Sequence, residues 1–294
     1  MAILYHKENW QVSEDMKKEA KNRRRSDGRL PGNRKELLID ILHWRRTSLL
    51  ALGLMLLAFS LPHIATLMYY DIGASVIAQG STDTAAKLVT LRLQTTLLQI
   101  LTYTVLFFGL SGVVYLLRQL VWREPTGFFD GWWTGVRSNG LRFAVFGFCV
   151  GLLQGLNTFA EVLLHGFGRY LPRALFVGIV MPVLLYALTL NVVYRKKFGN
   201  LLSSAVVLYL KTVPVTLLFA LLLSATDLVL LLPKFTLRYG ILAAIIVVVL
   251  PVVWLVWTWY TFGIFDRFIN KEHYPEICNK GVYVPVQTED ERGK

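Results

Sequence analysis

Five stretches of the chain run without an Asp, Glu, Lys or Arg for about the length a helix needs to cross a bilayer. They are Thr47 to Tyr70, Leu93 to Leu117, Phe143 to Ala160, Ala174 to Tyr194 and Tyr239 to Phe265. A helix advances about 1.5 Å per residue and the hydrocarbon layer is about 30 Å thick, so roughly 20 apolar residues suffice. A sixth run, from about Thr212 to Leu232, contains one acid, Asp227, and begins near Pro214. The apolar stretch Phe198 to Leu210 precedes it across Lys211, and reads either as an interfacial helix or as the lower part of one bent helix. The pattern therefore predicts an all-α, polytopic membrane helix bundle with six transmembrane helices. It divides the chain into a basic leader (1–46), a membrane domain (47–269) and a polar tail (270–294) that contains Pro275 and Pro285 and ends in the mixed-charge run Glu289 to Lys294.

Orientation follows from the cationic residues, which are retained in cytoplasmic loops. With both termini in the cytoplasm, 24 of the 31 Lys and Arg residues fall on that side. Six, Lys87, Arg92, Arg169, Arg173, Lys234 and Arg238, fall on the other, and Lys211 lies near the boundary. Composition agrees: 54% of residues are hydrophobic and 17% charged, with a mean hydropathy of +0.49. The net charge of +12 is accounted for by this topology, so nucleic acid is not expected as a partner. Within the leader, Arg23, Arg24, Arg25, Arg29, Arg34 and Lys35 form a dense basic arm for which anionic lipid is the candidate partner. No secretory signal sequence is expected at the start, because the first long apolar run begins only near Thr47.

Candidate chemistry is sparse. Ionisable groups at membrane depth are functional candidates because burying them in lipid is costly. Here these are Glu161, Asp227 and Lys211, read as weak substrate-binding candidates, with the alternative that the two acids pair with Arg169, Arg173, Lys234 or Arg238. Gly147, Gly151 and Gly155 recur every fourth residue and offer a helix-packing face, with Gly127, Gly131 and Gly135 as a second series before it. Phe128, Phe129, Trp132, Trp133 and Arg137 make an interfacial aromatic elbow ahead of the third span, and Trp254, Trp257, Trp259 and Tyr260 read as a second aromatic belt at the headgroup level.

Gly109-Leu110-Ser111-Gly112 matches the GxSG string of rhomboid-type intramembrane proteases. A nucleophilic serine needs a positioned base, however, and His63 and His165 lie toward the other side of the membrane. His63 follows Pro62 and is expected to meet a carbonyl freed by the proline. Cys149 and Cys278 are too few and too differently placed for a disulfide framework or a zinc site. No metal, no cofactor and no enzymatic activity are expected, since the chain contains no HExxH, phosphate-loop or dinucleotide motif.

Three local patterns carry a family resemblance. They are Phe59-Ser60-Leu61-Pro62-His63-Ile64-Ala65-Thr66, Gly127-Phe128-Phe129-Asp130-Gly131-Trp132-Trp133 through Arg137-Ser138-Asn139, and Phe198-Gly199-Asn200-Leu201-Leu202 before the Lys211 to Pro214 step. Together they resemble the YesL-like membrane proteins of Gram-positive bacteria, across much of the region from Thr47 to Asn270. The basic leader and the tail lie outside the resemblance, and His63 departs from the more apolar residue expected after Ser-Leu-Pro. The resemblance implies a Gram-positive plasma membrane and an accessory role beside a carbohydrate uptake system of the ABC type, whose subunits would be the partners. It transfers no catalytic or ligand residue. A small secondary transporter or channel is the alternative reading, and an intramembrane serine hydrolase the second alternative.

Overall fold

The computed structural model describes residues 31–282 apart from 81, 82, 126 and 195. Arg23 to Arg29 of the basic arm and the charged run Glu289 to Lys294 therefore lie outside the described residues. Among the described residues the chain forms helices and turns and no strand. A short helix, α1 (Arg34–Trp44), comes first. Then follow α2 (Arg46–Gly80), α3 (Thr84–Val121), α4 (Phe128–Leu163) and α5 (Gly166–Val193). The shorter α6 (Phe198–Lys211) precedes α7 (Val213–Leu231) and α8 (Phe235–His273). Six of these, α2 to α5, α7 and α8, are long and apolar enough to cross a membrane, and the protein is a multi-pass integral membrane protein.

Each boundary has a local cause. Asn33 caps α1 by accepting from the Glu36 amide at 2.9 Å while the Glu36 carboxylate accepts from the Gly32 amide at 2.8 Å, a reciprocal box around otherwise unpaired amides. Between α3 and α4 the chain reverses over 122–127, where Arg123 takes a left-handed φ of 53°. The aromatic segment begins at once after this reversal, and Phe128 to Gly140 are the opening turns of α4. Between α6 and α7 the helix breaks at Thr212, with Pro214 in the first turn beyond. The two pieces meet at a bend and together climb beside α5 from Phe198 to Leu231.

Two prolines explain widened turns inside the spans. A proline has no amide hydrogen to donate, and its ring crowds the carbonyl four residues back. Pro182 follows a π turn at Phe176–Val180, and Pro251 follows another at Ile245–Val249. In lipid the freed carbonyls need new partners. The Gly178 carbonyl, four residues before Pro182, accepts from the Tyr209 hydroxyl of α6 at 2.6 Å. The Val247 carbonyl, four before Pro251, lies against Gly53 of α2, where any Cβ would collide with it.

Helix α5 occupies the middle of the bundle, with 67% of its most apolar window buried, whereas α7 at 17% is the most lipid-exposed of the six. Antiparallel α3 and α4 form the longest hairpin. Gly112, Gly135, Gly147 and Gly151 let their backbones approach: a Cβ on Gly151 would fall 2.6 Å from Ile100 Cα, and one on Gly147 2.5 Å from the Tyr103 carbonyl. A line of hydroxyls fills the seam between α5, α7 and α8. Tyr186 meets Thr212 at 2.7 Å, Thr212 meets Thr216 at 3.0 Å, and the Trp257 indole donates to Thr189 at 2.9 Å. Each hydroxyl there also donates back along its own helix or across the seam, so burial leaves it bonded. Trp257 is 1% exposed, so its ring belongs to the core rather than to the headgroup belt expected from sequence.

Candidate functional sites at the two ends of the bundle

Even traversal brings both described ends to one side of the bundle, where the Trp259 indole donates to the Arg34 carbonyl at 2.6 Å. We call this the near side and the opposite one the far side.

On the far side the ionisable groups join in a chain across four spans. Arg92 of α3 donates to Glu161 of α4 at 2.5 Å. Arg173 of α5 reaches Glu161 at 3.9 Å and Asp227 of α7 at 2.9 Å. A second group ties α2 to α8: Arg238 pairs with Asp71, and the Tyr239 hydroxyl donates to the same carboxylate at 2.8 Å. Glu161 and Asp227 are thus brought together through Arg173, and the third candidate, Lys211, is not among them. It lies toward the near side, its ammonium 4.4 Å above the Phe268 ring. Asp71 escaped the sequence reading because it closes an apolar run and looks there like an ordinary boundary. A hollow of about 730 Å³ opens on the outer face of α8 along Phe235, Gly240 and Ala244, and none of these acids lines it.

The near side holds the more deeply buried charges. The side chain of Glu124, in the reversal between α3 and α4, is only 3% exposed. It accepts from Arg118 at 3.1 Å and from Lys280 of the tail at 2.8 Å. Both cations also face aromatic rings: Arg118 lies 4.2 Å from the Tyr115 centroid, and Lys280 lies 4.2 Å from that of Trp122. Asp266, at the end of α8, pairs with Arg34, accepts from the Asn279 amide at 2.9 Å and accepts from Asn270 at 2.6 Å. Asn270 in turn accepts from the Tyr194 hydroxyl at 2.5 Å, which joins the loop after α5 to the same cluster. Arg123 pairs with Asp40 of α1. Residues 34–44 and 271–282, read from sequence as leader and tail, are thereby built into the bundle, with Leu37, Ile41, Tyr274 and Ile277 buried. No motif marks these partners; single charges far apart in the chain meet only after folding.

The aromatic segment divides by face. Trp132 packs against Gly112 and Phe59, while Phe129, Trp133 and Arg137 point outward and Phe128 is half-buried. Behind them, Asn191 of α5 donates to Asn139 at 3.2 Å and accepts from Arg142 at 3.1 Å.

Ser111 is fully buried and its hydroxyl donates to the Phe108 carbonyl at 2.6 Å. His63 meets the Thr102 hydroxyl at 3.2 Å rather than a backbone carbonyl, with its ring 4.6 Å from that of Tyr103. Among the described residues no three His, Cys, Asp or Glu side chains gather in a metal-binding arrangement. No protein-family profile matches the chain, and no curated protein or solved structure shows significant similarity to it.

Proposed function

We propose that this membrane protein is a non-enzymatic accessory component of a solute-uptake assembly, presenting its near side to the cytoplasm and contacting transporter subunits through it. The observation that carries this reading is the built near side: α1, the α3–α4 reversal and the first part of the tail are held in one rigid face by the Arg118–Glu124–Lys280 and Arg34–Asp266 clusters. Holding buried charges in register fixes geometry more than it adds stability, which fits a surface that must present one shape. The far-side acids are committed to arginines, which favours structural ion pairs over an open substrate site.

Carbohydrate as the solute, ABC-type subunits as the partners and a Gram-positive plasma membrane as the location rest on the resemblance to YesL-like proteins alone. The full chain, tagged and purified in mild detergent, is expected to bring down a transporter subunit. Repeated recovery without any membrane-protein partner would overturn the proposal.

One observation favours a second reading, a small transporter or channel. The Arg92–Glu161–Arg173–Asp227 chain spans four helices and would have to break if they separated. In that case solute flux in reconstituted vesicles is lost on Glu161→Gln or Asp227→Asn. Absence of flux in the wild type removes the reading.

A further inference from the structure

The far-side ends of α5 and α7 are loosely packed. In α7, Thr216 and Ala220 are buried and the Phe219 ring lies 5.1 Å from that of Trp257, but from Leu221 to Leu231 no residue is buried. In α5 none is buried from Gly166 to Leu175, and Phe176 is the first side chain to enter the core. Closer to the near side, the hydroxyl seam and the Tyr209–Gly178 bond hold this part of the bundle together. At the far end, among the described residues, the polar tie between the two helices is the Arg173–Asp227 pair, and both side chains are 50% exposed. A pair so open to water holds weakly, and elements with few buried contacts are the ones that open first.

Three further features fit this end for movement. The helix α7 changes from α to 3₁₀ geometry at Ala225, and Asp227 lies in the 3₁₀ part; such a change of winding is a common hinge. Arg173 has a second partner in Glu161, 3.9 Å away and already held by Arg92 at 2.5 Å. When Asp227 leaves, Arg173 closes on Glu161 while Asp227 turns to water, so the contact is exchanged and no charge is stranded. Finally, Arg238 donates to the Leu232 carbonyl at 2.6 and 2.9 Å and pairs with Asp71, which moors the end of α7 to α8 and α2. The seam that can part is therefore the one between α5 and α7.

We propose that the outer part of α7, Leu221 to Leu231, is a gate arm that parts from α5 on the far side by exchanging the Arg173–Asp227 pair for a closer Arg173–Glu161 pair. The gate rests on the transporter reading for its purpose, but its motion is measured without any solute. Absent flux with a moving arm removes that reading alone, and flux with a rigid arm removes the gate alone.

The test uses the full chain in detergent, with Cys149 and Cys278 replaced by Ser and spin labels on Leu171→Cys and Leu228→Cys, exposed positions at the far ends of α5 and α7. A control pair sits on the α3–α4 hairpin at Leu101→Cys and Leu152→Cys, also exposed. Double electron–electron resonance should resolve two distances for the first pair, about 5 Å apart, as expected for an arm roughly 15 Å long turning by about 20°. Asp227→Asn should enlarge the longer population about threefold, the weight of one exposed ion pair. Glu161→Gln, which removes the alternative partner of Arg173, should shrink it, and neither should move the control pair. If Asp227→Asn fails to fold, the wild type in about 1 M salt, where exposed pairs are screened, replaces it with the same expectation. A single distance that Asp227→Asn leaves unchanged would overturn the gate. So would equal lengthening by both variants, since the two acids would then act as independent structural ties.

Discussion

Glu124 sits in a short reversal between two spans, where a carboxylate would ordinarily face water, yet it is enclosed by Arg118 and Lys280. Removing one member of a buried ionic cluster leaves the others without compensation, at a cost of about 3 kcal/mol. Glu124→Gln is therefore expected to lower the thermal midpoint in detergent far more than substitution of the exposed Glu276, and adding Lys280→Met should recover part of the loss. If Glu124→Gln melts with the wild type, the cluster is not what holds the tail. Lys196 gives a prediction in pH. Its ammonium is pushed down to about 7 in the folded protein from an ordinary 10.5, so between those values the unfolded chain holds a proton that the folded one has released. Stability then rises as pH increases from about 7, and the penalty of burying the charge is complete below it. The midpoint of the wild type should climb relative to Lys196→Gln between pH 7 and 9 in phosphate-free, lipid-free detergent; parallel pH profiles would contradict this.

At the scale of elements, the α3–α4 hairpin shows how a glycine's neighbour, rather than its spacing, decides its importance. Gly151 meets the Ile100 backbone, which can yield only if a whole helix moves, whereas Gly155 meets the Thr96 methyl at 3.2 Å, which can turn aside. Gly151→Ala is expected to destabilise by about 2 kcal/mol and Gly155→Ala by less than half as much. Gly178→Ala, with nothing near the added carbon, serves as the control. Equal midpoints for Gly151→Ala and Gly178→Ala would show that the hairpin is looser than drawn. The three glycines share a face by periodicity, and that much is legible in the sequence. Which of them touches backbone depends on the crossing of two helices, and no local pattern encodes it.

For the whole molecule, the excess of cations on the near side predicts that this side is cytoplasmic. In a chain with Cys149 and Cys278 replaced by Ser, a cysteine at Gly80, which has open space around it, should react with an impermeant maleimide on intact cells. One at the exposed Glu276 should react only after the membrane is opened. The opposite pattern would invert the protein. Cys278 is a poor reporter for this purpose, because burial and then the nearby Asp266 push its thiol up and slow its reaction on either side.

The spans themselves were readable before folding, because a bilayer imposes one length and one composition on every segment that crosses it. The placement of the break near Lys211 was not: an apolar run of that length suits an interfacial helix and a bent span equally, and only packing of Leu201, Ala205 and Leu208 shows α6 joined to the bundle. The far-side acids were visible as rare charges beside lipid, but their partners were chosen by helix order, so Glu161 took Arg92 and Arg173 while Arg238 went to Asp71. Hydrophobicity is a property of each segment and survives in the sequence. Pairing between charges separated by as many as 232 residues, as between Arg34 and Asp266, is a property of the folded bundle alone.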